Sequence, residues 1–439
     1  MPISQFVART TYLQKLKSCL NTSSIKLITG MRWSGKTSLI MKFIQELQFL
    51  GIDDSQILYI DFDLQYFSEM TTSDILLYIC ERSISDRKQY LFFDEFQQID
   101  NWENIVLELL AEDNYEIFII SSNASVVFSK LFTDYPILFT EIRIYPLSFL
   151  EYLEYLGYST CKSCDALGQE EYTVLNSMGH ICDKNILFHN YTHSGSLPIA
   201  KAIASAPQLK TLVFDGILSS IILKDIIERK ILPGQHNVLD PALLRRLLSF
   251  LSAHIGSGMS ANFIGKNINH NNELTNSNIQ HKPSTHTILA YQRLLAESYL
   301  FYDISYHDII SKHTLKSPKK YYIADPSILY HLLGNHGISD ALVFENVIFI
   351  ELLRRGYHVT CGKAGKQHID FIAHRNDKTK LIQFIGSHES MAAILKKINT
   401  LKEIIDEGEK VVITMQRELI ETWPLDISVF SALDFLLDS

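Results

Sequence analysis

The sequence predicts an α/β protein that opens with a parallel sheet wound by helices on both faces. Three observations predict it. Short β-branched and aromatic runs alternate with stretches of helical spacing through residues 25–149, the pattern of a doubly wound parallel sheet. The segment GMRWSGKT, residues 30–37, fits G-x-x-x-x-G-K-[ST] between one such run and one such stretch. A second apolar run ends in two adjacent acids, Asp94 and Glu95.

The first element is the strand IKLIT (25–29). It is followed by the loop and then by SLIMKFIQELQFL (38–50), which places Leu39, Phe43 and Leu47 at helical spacing. A glycine-rich loop between strand and helix can fold its N–H groups round a phosphate, and the helix N-terminus adds a favourable dipole. In this pattern the loop residues Gly30, Met31, Arg32, Trp33, Ser34, Gly35, Lys36, Thr37 and Ser38 hold the nucleotide. Lys36 reaches the β- and γ-phosphates, and Thr37 ligates Mg²⁺. Arg32 and Trp33 occupy variable positions, where solvent-facing or packing side chains are the plain expectation.

The acids lie in YLFFDEFQQIDNW (90–102), with Asp94 58 residues beyond Lys36 (94 − 36). Ligands of open α/β sheets bind at the C-terminal ends of strands. Asp94 there would hold Mg²⁺ through water, and Glu95 would act as general base toward the attacking water. The run ILYIDFD (57–63) lies between the two motifs, so a strand intervenes between loop and Asp-Glu strand. With the paired acid, this points to the additional-strand class of phosphate-loop ATPases. EIFIISSNAS (116–125) is a further strand; Ser122 or Asn123 at its end would sense the γ-phosphate, or the pair is a simple turn. EIRIYPLSF (141–149) supplies the fifth strand.

Composition narrows the function classes. At 439 residues with 46% hydrophobic and 20% charged residues, the chain is that of an ordinary folded protein of about three domains. A net charge of −9 argues against a dedicated nucleic-acid binder. The N-terminal MPISQFVART has no signal-peptide pattern. The apolar LVFDGILSSIILKDII carries Asp215 and Lys224, against a membrane span. Six cysteines do not make a disulfide framework and read as reduced, cytoplasmic thiols.

These segments together resemble a family: prokaryotic AAA-type P-loop ATPases whose C-terminal half is a domain of unknown function. The resemblance covers nearly the whole chain. It rests on RTTYLQKL, GMRWSGKT, LFFDEFQQIDNW, ISSNAS and IYPLSFLEYL, then GSLP, LKDII, KYYIADPSI, FENVIFIELLRRGYHV and HIDFIA. It implies an additional-strand (AAA) sheet over 1–148, a helical lid over 149–231, a winged helix over 232–330 and a restriction-endonuclease-like α/β domain over 331–439. It implies ATP and Mg²⁺ as ligands, and hydrolysis to ADP and phosphate coupled to the C-terminal modules, with Glu95, Lys36 and Asn123 in catalytic roles. The alternatives are a nucleotide-gated regulatory protein with little turnover and, disfavoured, a metal-dependent nuclease. One departure matters: the Gly-Arg pair the family has before IRIYPLSF is replaced by YPILFTE, with Ile137 and Leu138, although Arg143 is retained.

Residues 149–231 read as helical. Asp225 and Arg229 could approach the nucleotide from there or make ion pairs. Cys161, Cys164, His180 and Cys182 offer four zinc-type ligands at an unusual spacing. LPGQHNVLDP (232–241) reads as a linker and NHNNELTNSN (269–278) as a loop insertion. In the winged helix, residues 284–296 would face DNA. They offer Arg293 alone as a strong cation, so a packing or oligomerisation role, or a protein partner, competes. In the last domain Glu345 and Asp370 would be the nuclease acids. Gln383 and Ile385 stand where a further acid and a lysine are needed.

Overall fold

A computed structural model describes residues 7–22, 24–84, 87–112, 114–124, 130–164, 170–199, 203, 206–227, 240–268, 282–334, 338–365, 367–404, 408–416, 424 and 426–438. The chain forms two compact units. The first comprises residues 1–146 and 297–299, the second 147–296 and 300–439.

The first unit is built on five parallel strands: β1 (Ile25–Thr29), β2 (Ile57–Asp61), β3 (Gln89–Asp94), β4 (Tyr115–Ser121) and β5 (Phe139–Arg143). Their order is β2-β3-β4-β1-β5. Successive side chains of a strand point to opposite faces, and here both faces are covered. Ile28, Phe92, Phe118 and Ile142 pack with Leu39, Ile40, Phe43 and Leu47 of helix Lys36–Phe49 and with Tyr12, Leu13 and Leu16 of helix Thr10–Ser18. Leu27, Leu91, Phe93, Ile117 and Ile119 pack with Ile75 and Ile79 of helix Thr72–Cys80 and with Ile105, Val106 and Leu109 of helix Trp102–Leu110. Burial on both faces explains the near-continuous apolar runs. One strand does separate the phosphate-loop strand from the Asp-Glu strand, but it is β4. Residues 57–63, which lie between the two motifs along the chain, supply β2 (57–61) at the edge of the sheet. Sequence order places a strand along the chain and says nothing of which neighbours it pairs with.

Charge is buried within this sheet. Lys26 on β1 is fully buried and ion-paired to Glu116 on β4, which also takes Lys88 Nζ at 2.5 Å. Burial pushes the Lys26 pKa down, against the pull of Glu116.

The second unit starts with helix Phe149–Leu156, which Gly157 ends in the left-handed conformation (φ 89°). The expected all-helical stretch 149–231 is then interrupted by an antiparallel sheet, β6 (Ser159–Cys164), β7 (Glu170–Leu175) and β8 (Ile181–Cys182). Tyr172 and Val174, two residues apart, are its buried positions; this period of two is a strand signal that the reading of the region as helical passed over. Helices Lys184–Ser194 and Lys210–Ser220 follow, the latter continuing into a π-helical turn Ile221–Ile227. Arg229, the linker residues 232–239 and the insertion 269–278 lie outside the described residues.

Helices Pro241–Ala253, Ala261–Asn267 and Thr285–Glu297 precede β9 (Phe301–Asp308) and β10 (His313–Ile323). These strands join β11 (His358–Ala364), β12 (Gln367–Arg375), β13 (Lys378–Ile385), β14 (Glu409–Thr414) and β15 (Ser428–Ser431) in one mixed sheet of order β10-β9-β11-β12-β13-β14-β15. Asp325 is a fully buried hub here: it accepts from Ser327 N (2.8 Å), Ser327 Oγ (2.7 Å) and Ser196 N (2.9 Å), which ties the segments GSLP and ADPS together. No helix of the described residues is long and apolar enough to cross a membrane.

Candidate functional site

The site is assembled at the C-terminal ends of β1, β3 and β4. Gly30 leaves β1 with φ 142°, and a Cβ there would meet the Ile144 carbonyl oxygen at 2.1 Å. Only glycine fits so close a backbone approach. Gly35, at φ 93°, turns the chain into helix Lys36–Phe49, whose N-terminus no side chain caps. The first N–H groups of a helix have no partners inside it, so this end presents donors.

Three further features suit a phosphate. Lys36 is buried, and its Nζ donates to the Gly30 (2.9 Å) and Met31 (3.1 Å) carbonyls, curled into the loop it would share with an anion. Ser34 Oγ is buried without a hydrogen-bond partner. Thr37 Oγ1 donates to Asp94 Oδ2 at 2.7 Å, which joins the two motifs directly. Ser38 is half-buried on the first helical turn, Met31 is buried, and Trp33 is half exposed at φ 70°.

Asp94 is 4% exposed. Burial pushes its pKa up, while the donated hydrogen bonds of Tyr59 (2.6 Å) and Thr37 pull the other way. A bound cation would hold it ionised. Glu95 follows at φ 53°, a left-handed conformation that sets its side chain off the strand. Its Oε2 accepts from Ser122 Oγ at 2.9 Å and from Gln97 Nε2, and Arg32 Nη2 lies 3.5 Å away. Ser122, just beyond β4, thus contacts the Glu95 carboxylate. Asn123 is buried beside it, its backbone N–H donating to Ser121 Oγ at 3.2 Å.

Several contacts were not visible in the sequence. Tyr59 comes from β2 and lies one strand over from Asp94. Arg9 is 3% exposed; it donates to the carbonyls of Ser34 (2.8 Å) and Tyr145 (2.6 Å) and lies over the Tyr12 ring at 4.6 Å. It therefore braces the crest of the loop against the end of β5. Its place in RTTYLQKL gave no sign of this role. Arg32, expected to face solvent or pack, is instead paired with Asp63 and Glu95. Arg143 is paired with Glu141 at 3.0 Å. Ile137 and Leu138 occupy the short 3₁₀ turn Pro136–Leu138.

Other candidate residues belong to the second unit. Asp225 is buried in the π-helical turn of the second unit. Cys161 and Cys164 are exposed on β6, where residues three apart point to opposite faces. Among the described residues no three His, Cys, Asp or Glu side chains gather as a metal-binding group. Arg293 is exposed on helix Thr285–Glu297. Glu345 accepts from Tyr322 OH (2.6 Å) and Lys320 Nζ (3.2 Å), and Asp370 accepts from the Phe384 N–H (2.9 Å). Gln383 is buried with Nε2 on the His368 carbonyl (2.7 Å), and Ile385 belongs to the apolar core against helix Met391–Glu403. Lys320, brought in by β10, is a lysine the sequence reading had not placed there.

Comparison with known proteins accords with this geometry. Residues 22–153 match the family model of an AAA domain, and residues 186–339 match a domain of unknown function. An uncharacterized protein of Haemophilus influenzae is 33% identical over 439 residues, covering 98% of both chains. An uncharacterized protein of Methanocaldococcus jannaschii is 26% identical, over 92% of this chain and 87% of that one. Among solved structures, a Walker-type ATPase of Pyrococcus abyssi is similar at 14% identity and TM-score 0.48, over 74% of this chain and 96% of that one. Sharing 33% identity over nearly its whole length with the Haemophilus influenzae protein, and carrying an AAA domain at residues 22–153, the chain belongs to that protein's family.

Proposed function

We propose that the chain binds Mg–ATP on residues 30–38 and hydrolyses it to ADP and phosphate. The observation that carries this reading is the 2.7 Å hydrogen bond from Thr37 to Asp94, which holds the loop and the acidic strand in one site. Lys36 would leave the Gly30 and Met31 carbonyls for the β- and γ-phosphates. Thr37 and Asp94 would hold Mg²⁺, which when bound neutralises charge on the phosphates. Glu95 would accept the proton of the attacking water, with Ser122, and Asn123 behind it, positioning the carboxylate. Glu95→Gln should still bind Mg–ATP but release phosphate at least ~100-fold more slowly, the usual scale for a lost general base. Equal phosphate release by the variant and the parent chain would remove Glu95 from that role.

A second reading is a nucleotide-gated regulatory protein with little turnover. It is favoured by the restraint on Glu95, which Arg32, Ser122 and Gln97 all engage. Either way, we infer that the nucleotide state would act on residues 297–299. Residues 297–299 count with the first unit, and Ala124 N, next to Asn123, donates to the Glu297 carbonyl at 2.8 Å. Glu297 ends the helix that sequence order reads as the recognition helix of a winged helix. The exposed residues His286, Leu289 and Arg293 of that helix favour a protein partner over DNA. The six unbonded cysteines favour a reducing compartment, the cytoplasm.

The C-terminal domain, read as endonuclease-like, should not cut DNA. Ile385 is committed to the core and Glu345 to Tyr322 and Lys320. Incubating plasmid and single-stranded DNA with the protein, Mg²⁺ or Mn²⁺ and ATP should leave both intact. Nicking that vanishes in Asp370→Ala would make the cluster of Lys320, Glu345 and Asp370 a nuclease centre.

A further inference from the structure

Arg32 sits at the meeting point of three strand ends. Its Nη1 is 3.2 Å from Asp63 Oδ2, just beyond β2, and its Nη2 is 3.5 Å from Glu95 Oε2, just beyond β3. The same Glu95 oxygen accepts from Ser122 at the end of β4. The side chain is 13% exposed, so the pairing is shielded from bulk water. A loop residue whose guanidinium touches the general base lies on the side of the site where the γ-phosphate is attacked. The chain also lacks an arginine where Ile137 and Leu138 stand.

We propose that Arg32 is this protein's own γ-phosphate arginine, and that without a γ-phosphate it acts as a latch on Glu95. This rests on the ATP-hydrolysis reading above. A γ-phosphate brings roughly two negative charges and three acceptor oxygens in a geometry that a planar guanidinium fork matches. It competes with Asp63 and Glu95 for the same cation. When Arg32 turns to the phosphate, Glu95 Oε2 is released toward the attacking water. The water oxygen then bonds to Pγ, and the bond from Pγ to the β–γ bridging oxygen breaks with its electron pair leaving on ADP. The water's proton passes to Glu95, and Arg32 stays on the equatorial oxygens where charge builds. With ADP bound, the guanidinium returns to the two carboxylates.

The test compares fluorescent ATP and ADP analogues and single-turnover phosphate release in four proteins: the parent chain, Arg32→Ala, Arg32→Lys and Asp63→Asn. Arg32→Ala should lose at least ~10-fold of the preference for ATP over ADP while ADP affinity stays within about twofold, each lost charge-assisted bond being worth that much. Its phosphate release should slow by on the order of 1,000-fold, the scale of a lost phosphate arginine. Arg32→Lys should recover little of this, because an ammonium lacks the fork. Asp63→Asn removes a competitor for the guanidinium and should raise ATP affinity relative to ADP, a gain that damage to the fold cannot produce. Equal weakening of both nucleotides in Arg32→Ala, or an unchanged ATP preference in both Arg32→Ala and Asp63→Asn, overturns the proposal. A parent chain that binds neither analogue overturns the ATP reading itself, a result separate from either.

Discussion

Lys36→Ala should lower ATP affinity on the order of 1,000-fold. The ammonium is buried and donates to two loop carbonyls, which fix its position within the loop. On binding it would exchange two neutral acceptors for two charged ones, and charge-assisted hydrogen bonds contribute about 1.5–3 kcal/mol each. Alanine removes both and leaves the Gly30 and Met31 carbonyls without that donor. Titration with a fluorescent ATP analogue measures the loss. Affinity equal to that of the parent chain would show that residues 30–38 do not hold the phosphates.

Glu116→Gln should destabilise the first unit by about 3–5 kcal/mol, the usual cost of removing one partner of a buried ion pair. Lys26 is fully buried, and its ammonium also donates to the Thr22 carbonyl at 3.1 Å. Glutamine would leave that charge, and Lys88, facing a neutral amide inside the sheet. Exchanging both members of the central pair for apolar residues, Lys26→Met with Glu116→Leu, should recover most of the loss, because the fully buried charge is then gone and Lys88, whose side chain is a third exposed, can turn to water. Urea unfolding followed by the tryptophan signal of Trp102, buried in the same unit, reports both effects. A single variant as stable as the parent chain would mean that water reaches Lys26 at little cost.

The loop and the acid pair were legible in the sequence because their chemistry fixes residue types at fixed offsets along one stretch of chain. Gly30, Gly35, Lys36, Thr37 and Asp94 needed no knowledge of the sheet. Contacts set by pairing were hidden. Tyr59 reaches Asp94 only because β2 lies beside β3, and Ser122 reaches Glu95 only because β4 lies on its other side. Arg32 looked like a variable loop position because its partners, Asp63 and Glu95, lie 31 and 63 residues away (63 − 32 and 95 − 32). The small sheet β6–β8 was missed because its alternation is carried by two apolar residues among many polar ones. Lys320 meets Glu345 through the register of β10 against helix Asp340–Arg354, which no local pattern encodes.

The return of residues 297–299 to the first unit has a consequence for dissecting the protein. The backbone passes between the units at 146/147, 296/297 and 299/300. A fragment ending at residue 146 would therefore be an incomplete body. It would lack Tyr299, which is 3% exposed and lies beneath Arg143 at 5.2 Å, and the carbonyl that receives Ala124 N–H. The hole would open beside β1 and β5 and at the exit of β4, the same strand ends that shape the loop. Such an excised fragment is expected to be less soluble and a poorer nucleotide binder than the intact chain, and resupplying residues 297–299 on a short tether should restore it.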